Sequence, residues 1–369
     1  MPISIATTMQ STPLPGSRPI WPVASTLSRL APFVAPALVR PETFDNARAL
    51  TAQLPDVASN YYLEMRLGDG GESVDLACNV AANDGRRSGV ARTSALRQYA
   101  ERTPAWATLA WFLRRWAEPT PQQERTWPAL WLGFDGIETC RDAPPAPCIS
   151  MPICDHLGQP RTAAEGSHAA RLMSGALAPL LGQPLKPCQQ EQLIKAFTHL
   201  PADAQVMYGS VMLARADRAS KINVLIRGAD VLGYLRATGW RGSLSEIEAL
   251  LAAYTRPANP VRLDLTLGES SHDRLGIELL SKKLPQSPAA AMALADVLHD
   301  QGLCSSSQRQ ALRRWWGYST ERYPAHSWST CLTRTWYIKL CWRASARLQA
   351  KAYLGFMPRP FSPYLLEAS

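Results

Sequence analysis

Thr335-Trp336-Tyr337-Ile338-Lys339-Leu340-Cys341-Trp342, a polar turn, and Gln349-Ala350-Lys351-Ala352-Tyr353-Leu354-Gly355 stand near the C-terminal end of this chain. Side chains alternate faces along a β-strand, so each run carries two different surfaces. Tyr337, Lys339 and Cys341, then Gln349, Lys351 and Tyr353, share one face. Trp336, Ile338, Leu340 and Trp342, then Ala350, Ala352, Leu354 and Phe356, share the other. The two runs read as a hairpin with one apolar face and one charged, aromatic face. A single hairpin of this kind is common on protein surfaces. The fold is decided by its recurrence upstream.

Four earlier pairs of runs repeat the design. Residues 261–267 place Arg262, Asp264 and Thr266 on one face, and the return run adds Arg274 and Glu278 with Gly276 between them. Residues 205–215 and 221–227 form the pair before it, where Lys221, Asn223 and Arg227 alternate with Ile222, Val224 and Ile226. The least regular pair is 127–135 with 148–154, in which Trp131, Gly133 and Asp135 share a face. The first pair, 61–67 and 73–80, flanks Gly68-Asp69-Gly70-Gly71, strong hairpin-turn chemistry. There Tyr62, Glu64 and Arg66 oppose Tyr61, Leu63, Met65 and Leu67, while Ser73, Asp75 and Asn79 oppose Val74, Leu76, Cys78 and Val80.

Helical patterns fill the intervals. They fall at 44–54, 93–102, 105–118, 163–181, 189–200, 229–238, 243–254, from Ser287-Pro288 to His299, and 306–316. Trp106, Leu109, Leu113 and Trp116 recur at helical spacing, which marks a core stripe. Pro179 is expected to break the helix that contains it. Residues 1–40 are rich in Pro, Ser and Thr and read as a poorly ordered or draped arm, with 358–369 as a tail. A single domain is expected over 41–357.

Five amphipathic hairpins separated by helices have one economical arrangement. Closing ten antiparallel strands into a barrel removes the sheet edges. Apolar faces then turn outward under a ring of helices, and polar faces line a lumen wide enough for a ligand. The expected class is α+β: a ten-stranded antiparallel barrel of five αββα units.

Composition narrows the partners. The 369 residues are 46% hydrophobic and 19% charged, with a net charge of +9. No dense Lys/Arg tract is present, so nucleic acid is not an expected partner. Basic residues isolated within strands suit a small anionic ligand better. The eight cysteines include no Cys-x-x-Cys. Cys148, Cys154 and His156 are a candidate fragment of a zinc site, lacking a fourth ligand. The N-terminus lacks a basic stretch followed by an apolar run, and the longest apolar run, 30–39, contains two prolines. A cytoplasmic monomer without a membrane span is expected.

This organisation resembles the ABBA aromatic prenyltransferases, the prenyltransferase-barrel family. The resemblance covers roughly residues 44–356 and rests on element order and polarity. It also rests on Lys351-Ala352-Tyr353, on the lone strand lysine Lys339, and on Arg262 with Arg274. It implies a transferase of prenyl groups, active in secondary metabolism. The co-substrate would be an allylic prenyl diphosphate and the acceptor an aromatic small molecule or peptide. The cyanobactin-type branch, which modifies peptides, has similarly compact hairpins. By the same resemblance, Arg262, Arg274, Lys339, Lys351, Tyr353 and Lys221 would hold the diphosphate. Glu64, in Tyr62-Leu63-Glu64-Met65, matches the first-strand glutamate that contacts the acceptor.

The chemistry asks for those residue types. An allylic diphosphate ionises when fixed cations and hydroxyl donors stabilise the leaving group. The carbocation then needs dry surroundings and aromatic faces, which Tyr62, Trp131 and Tyr337 offer. A carboxylate such as Glu64 can take the acceptor's N–H or O–H proton. The sequence also departs from the family texture: Asn223 follows Lys221 and Asp264 follows Arg262 in the alternation. Asp264, Glu278 and Asp75 would pair the basic residues, hold Mg2+, or signal a different substrate. No Asp-Asp-x-x-Asp motif is present, which argues against the all-helical prenyl synthases. A pentein-type enzyme would need a third strand per unit. A tailoring enzyme without a prenyl donor, or a non-catalytic binding protein, would use the same barrel, with the charges as internal ion pairs.

Overall fold

The computed structural model describes residues 21–53, 58–68, 73–81, 98–119, 127–139, 145–215, 218–268, 273–279, 288–324 and 328–361. Eleven strands form one sheet: β1 (Ala58–Arg66), β2 (Val74–Ala81), β3 (Ala129–Phe134), β4 (Cys148–Pro152), β5 (Gln205–Val211), β6 (Ser220–Arg227), β7 (Pro260–Leu267), β8 (Arg274–Leu279), β9 (Gly317–Arg322), β10 (Ser329–Arg343) and β11 (Gln349–Pro360). Ten of them close. The order runs β1 to β8, then β10 and β11, and β11 returns to β1 with Tyr353 opposite Glu64. Every pairing is antiparallel. The fold is the expected α+β barrel.

The described helices are α1 (Val23–Leu30), α2 (Pro41–Ala52), α3 (Pro104–Ala117), α4 (Asp155–Gly158), α5 (Ala163–Leu181), α6 (Pro187–Thr198), α7 (Val231–Ala237), α8 (Leu244–Tyr254), α9 (Pro288–Asp300) and α10 (Ser306–Trp315). Local chemistry sets their ends. Thr103, Thr162 and Ser305 cap α3, α5 and α10 by accepting the N–H of Trp106, Glu165 and Gln308. In α10 Gln308 reaches back to complete a capping box.

The two faces of each hairpin separate as the alternation demands. Leu63, Leu263, Ile338 and Leu354 are fully buried in one continuous apolar core with Leu109, Leu113, Met173 and Leu177 of the helices. Each such side chain stabilises the fold by about 1.5–3 kcal/mol relative to exposure. Larger outward residues also hydrogen-bond the ring. Trp336 Nε1 donates to the Leu312 carbonyl of α10, and Trp342 Nε1 donates to Glu246 of α8 at 2.6 Å. A one-residue slip of β10 would drive Lys339 under the helices, so the register is strongly specified.

Several expectations need correction. Residues 21–40 are not a poorly ordered arm: α1 buries Val23, Leu27 and Leu30, and Tyr323 donates to Thr26 on it. The helix signal was hidden because those apolar residues are interspersed with Ser and Thr and flanked by Pro22 and Pro32. Residues 358–360 are not tail but the end of β11. Pro179 does not break α5. It lies in the last turn, where one lost hydrogen bond matters little. Gly182, at φ +72°, then ends the helix with its N–H on the Ala178 carbonyl. The eleventh strand, β9, was not foreseen. It pairs with Ser329–Arg334 at the start of β10, on the edge that β8 occupies further along. Its residues alternate between half-buried and exposed, so it has no apolar face to announce it. The expected turn at 69–71, most of the helix at 93–102, Ser287, residues 1–20 and 362–369 lie outside the described residues.

Candidate active site

The lumen is built from inward positions of successive strands. On one arc Lys221 (β6), Arg262 and Asp264 (β7), Glu278 (β8), Lys339 (β10) and Lys351 (β11) come together. Lys339 and Lys351 are directly opposite each other in register, and Lys339 also lies opposite Glu278, which lies opposite Arg262. Gly276 makes the crowding possible. A Cβ there would fall 2.4 Å from Lys339 Cε and 2.9 Å from the Asp264 Cβ.

Each cation meets a carboxylate. Asp264 Oδ2 lies 2.5 Å from Lys339 Nζ and 3.0 Å from Lys221 Nζ. Glu278 lies 2.8 Å from the Arg262 guanidinium and 3.6 Å from Lys339 Nζ. Lys351 Nζ contacts Glu64 Oε1 directly and is 3.8 Å from Asp75 Oδ2. Arg262 also donates to the Tyr208 hydroxyl. Its buried Nε has no hydrogen-bond partner, nor has the buried Oδ1 of Asn223.

Aromatic rings adjoin these charges. Tyr337 and Tyr353 stack with centroids 4.5 Å apart. Tyr62 packs against Tyr337 at 5.6 Å and against Trp131 at 5.5 Å. The Arg262 guanidinium sits 5.3 Å from the Tyr337 ring centre. Gly355 gives the Tyr62 ring its room, since a Cβ there would meet Tyr62 Cε1 at 2.7 Å.

The two carboxylates around Lys351 are opposed in register and differ in acidity. Burial pushes both up. For Glu64, the charges of Lys351 and Lys339, with hydrogen bonds from Lys351 and Tyr353, outweigh burial and hold it at about 2. For Asp75, burial and the neighbouring Glu64 prevail over Lys351, and its pKa rises to about 7. Two close buried carboxylates sharing one lysine cannot both ionise freely. The Asp264 carboxyl, by contrast, is driven far below its ordinary range by Lys221 and Lys339 in spite of burial.

No family model matches the sequence, and no curated protein does either. Solved structures do match in fold. The prenyltransferase PriB in its apo form aligns over 92% of this chain and 98% of its own, with 14% identity and a TM-score of 0.50. A 6-dimethylallyltryptophan synthase from Micromonospora olivasterospora, in complex with DMASPP and Trp, aligns over 90% of this chain and 95% of its own. The identity there is 13% and the TM-score 0.53. The chain has the ABBA prenyltransferase-barrel fold.

Within this prenyltransferase barrel, the expected residues fall into three groups. Arg262, Lys339, Lys351 and Lys221 converge, and Tyr62, Trp131, Tyr337 and Tyr353 form the adjoining aromatic cluster. Arg274 stands apart, as the first residue of β8 opposite Arg343 of β10. Tyr208 was missed. A bulge between Val206 and Tyr208 breaks the period of β5, so strict alternation misassigns its face.

Metal is poorly served by the candidate ligands. The Asp264 and Glu278 carboxylates already face lysine and arginine at 2.5–3.6 Å, and these cations occupy the space a magnesium ion would take. Among the described residues no three His, Cys, Asp or Glu side chains gather to hold a metal. Of the candidate zinc fragment, the His156 side chain lies outside the described residues. The Cys148 thiol, pushed up to about 12 chiefly by burial, is a poor ligand at neutral pH. No described helix is long and apolar enough to cross a membrane.

Proposed function

We propose that this protein transfers a prenyl group from an allylic diphosphate to an electron-rich aromatic acceptor, an indole or phenol, free or within a peptide. One observation carries the reading: the buried Arg262 and the half-buried Lys221, Lys339 and Lys351 converge on the lumen wall beside a cluster of aromatic rings. Ionisation breaks the C–O bond of the donor, and Arg262, Lys339, Lys351 and Lys221 stabilise the departing diphosphate. The unpartnered Nε–H of Arg262 is a donor left for a ligand oxygen. The hydroxyls of Tyr353 and Tyr208 add neutral donors, with Arg274 nearer the strand end. Tyr62, Trp131 and Tyr337 present ring faces to the carbocation and keep water away. The acceptor ring attacks, a bond forms to the prenyl carbon, and Glu64 takes the proton. The cation produced by that attack is a strong acid, so a carboxylate held at about 2 still accepts its proton.

Titration calorimetry with a non-hydrolysable allylic diphosphate analogue tests the donor site. The wild type is expected to bind. Lys339→Ala is expected to weaken binding roughly 10- to 150-fold, the loss of one charge-assisted contact. Gly276→Ala is expected to weaken it similarly and also to lower the melting temperature, because its Cβ displaces Lys339 and would meet the Asp264 Cβ of the paired strand at 2.9 Å. A wild type that gives no heat and no competition overturns the proposal.

The charge balance favours a second reading. Each of the four convergent cations, Lys221, Arg262, Lys339 and Lys351, has a carboxylate within 4 Å, which suits a ligand of little net charge. A tailoring enzyme or binding protein without a prenyl donor would then use the barrel, and the same wild-type titration would stay silent.

A further inference from the structure

Among the described residues, four cations, Lys221, Arg262, Lys339 and Lys351, and four carboxylates, Glu64, Asp75, Asp264 and Glu278, are ion-paired on the lumen wall. Fully ionised, they sum to zero. A multiply charged anion entering this space would meet cations whose charge is already spent. One carboxylate has to give way, and the geometry indicates which. Asp264, Glu278 and Glu64 each have a cation at 3.0 Å or closer. Asp75 has its cation at 3.8 Å and shares it with Glu64.

The surroundings of Asp75 are otherwise hostile to negative charge. Glu64 faces it from β1 and Asp135 from beyond the end of β3, while Lys351 faces it from β11. Arg215, after β5, is occupied at 2.8 Å by Asp135. The Gly136 N–H donates to Asp75 Oδ1 at 2.7 Å. The remaining oxygen, Oδ2, is the one left to carry a proton.

We infer that Asp75 is a proton-taking member of the donor site: binding of a diphosphate above neutral pH places one solvent proton on Asp75, and this sets donor affinity. The inference rests on the prenyl-donor reading. A diphosphate drawn to Lys351 competes with Asp75 for the cation that lies 3.8 Å from it. The carboxylate then converts to the neutral carboxyl, and the lumen gains one net positive charge. No bond of the donor changes in this step. The resting pKa of about 7 puts the transition within reach of ordinary buffers. Below it Asp75 is already protonated and binding needs no proton. Above it each pH unit weakens binding by up to about tenfold, the linkage expected for one proton.

Calorimetry on the full chain, with the non-hydrolysable allylic diphosphate analogue in buffers of different ionisation heat, counts that proton. At pH 8 the wild type is expected to take up close to one proton more than Asp75→Asn, and at pH 6 the two are expected to agree. Asp75→Asn is expected to bind at pH 8 at least as tightly as the wild type does at pH 6. Melting temperature on the same samples reports folding, and the wild-type pH dependence stands without the variant. Wild-type affinity that is flat from pH 6 to 8, or an Asp75→Asn variant that keeps the wild-type pH dependence, overturns the inference while leaving the donor site intact. Absence of heat at both pH values overturns the donor site and the inference together.

Discussion

Arg262→Met is expected to cost the fold about 3–5 kcal/mol, because it strands Glu278 as an unpaired buried charge. Glu278 is 5% exposed and Arg262 8%. Lys339 stays 3.6 Å from Glu278 but is held at 2.5 Å by Asp264, so it is a poor substitute. Guanidinium unfolding measures the loss. Arg262→Met combined with Glu278→Gln removes both charges, and most of the stability is expected to return. Donor binding is expected to stay weak in the double variant, since nothing replaces the guanidinium at the diphosphate. If the single variant is as stable as the wild type, Arg262 and Glu278 do not form the buried pair described above. If the double variant regains full donor affinity, Arg262 has no place in the donor site.

Glu64→Gln is expected to separate chemistry from stability. Lys351 does not lose its last partner in this variant, because Asp75 stands 3.8 Å away and can ionise once Glu64 is neutral. Unfolding free energy is therefore expected to change by less than about 1 kcal/mol, whereas turnover is expected to fall by around 10²–10⁴, the usual contribution of a positioned base. Melting temperature and turnover on one sample decide the matter. A variant that melts early but turns over normally per folded molecule removes Glu64 from the mechanism. The pH dependence of stability has opposite signs at the two carboxyls. Glu64, depressed to about 2, contributes stability that is present above its ordinary value of 4.5 and lost as pH falls through 2. Asp75, raised to about 7, contributes stability that is present below its ordinary value of 3.8 and lost as pH rises through 7. Asp75→Asn is thus expected to be more stable than the wild type above pH 7.

Alternation made the barrel legible. In β10 the order Trp336, Tyr337, Ile338, Lys339, Leu340 leaves one register that packs the apolar residues under the helices and turns Lys339 into the lumen. The lumen wall followed from the same parity, which is why Tyr62, Trp131, Lys339, Lys351 and Arg262 were named from the sequence and then found together. Pairing partners were not legible, since they depend on which strands lie side by side once the barrel closes rather than on order along the chain. Asp264 serves Lys339 from β10, and Lys351 serves Glu64 from β1. Tyr208 escaped because a bulge shifts its parity, and β9 because a strand with no apolar face leaves no periodic mark. The outward-facing Arg334 escaped for another reason. It lies buried beneath the helices, bonded to the Trp315 carbonyl and the Ser319 hydroxyl, a role that alternation alone does not distinguish from error.

We propose that this lumen hands a prenyl cation to an aromatic ring. Incubation of the folded protein with dimethylallyl, geranyl and farnesyl diphosphates, each with indole and phenol acceptors free and within peptides, tests it by mass. The expected result is an acceptor heavier by one prenyl unit, with one diphosphate released per product. Unchanged acceptors with all three donors, in a protein that remains folded, would contradict it.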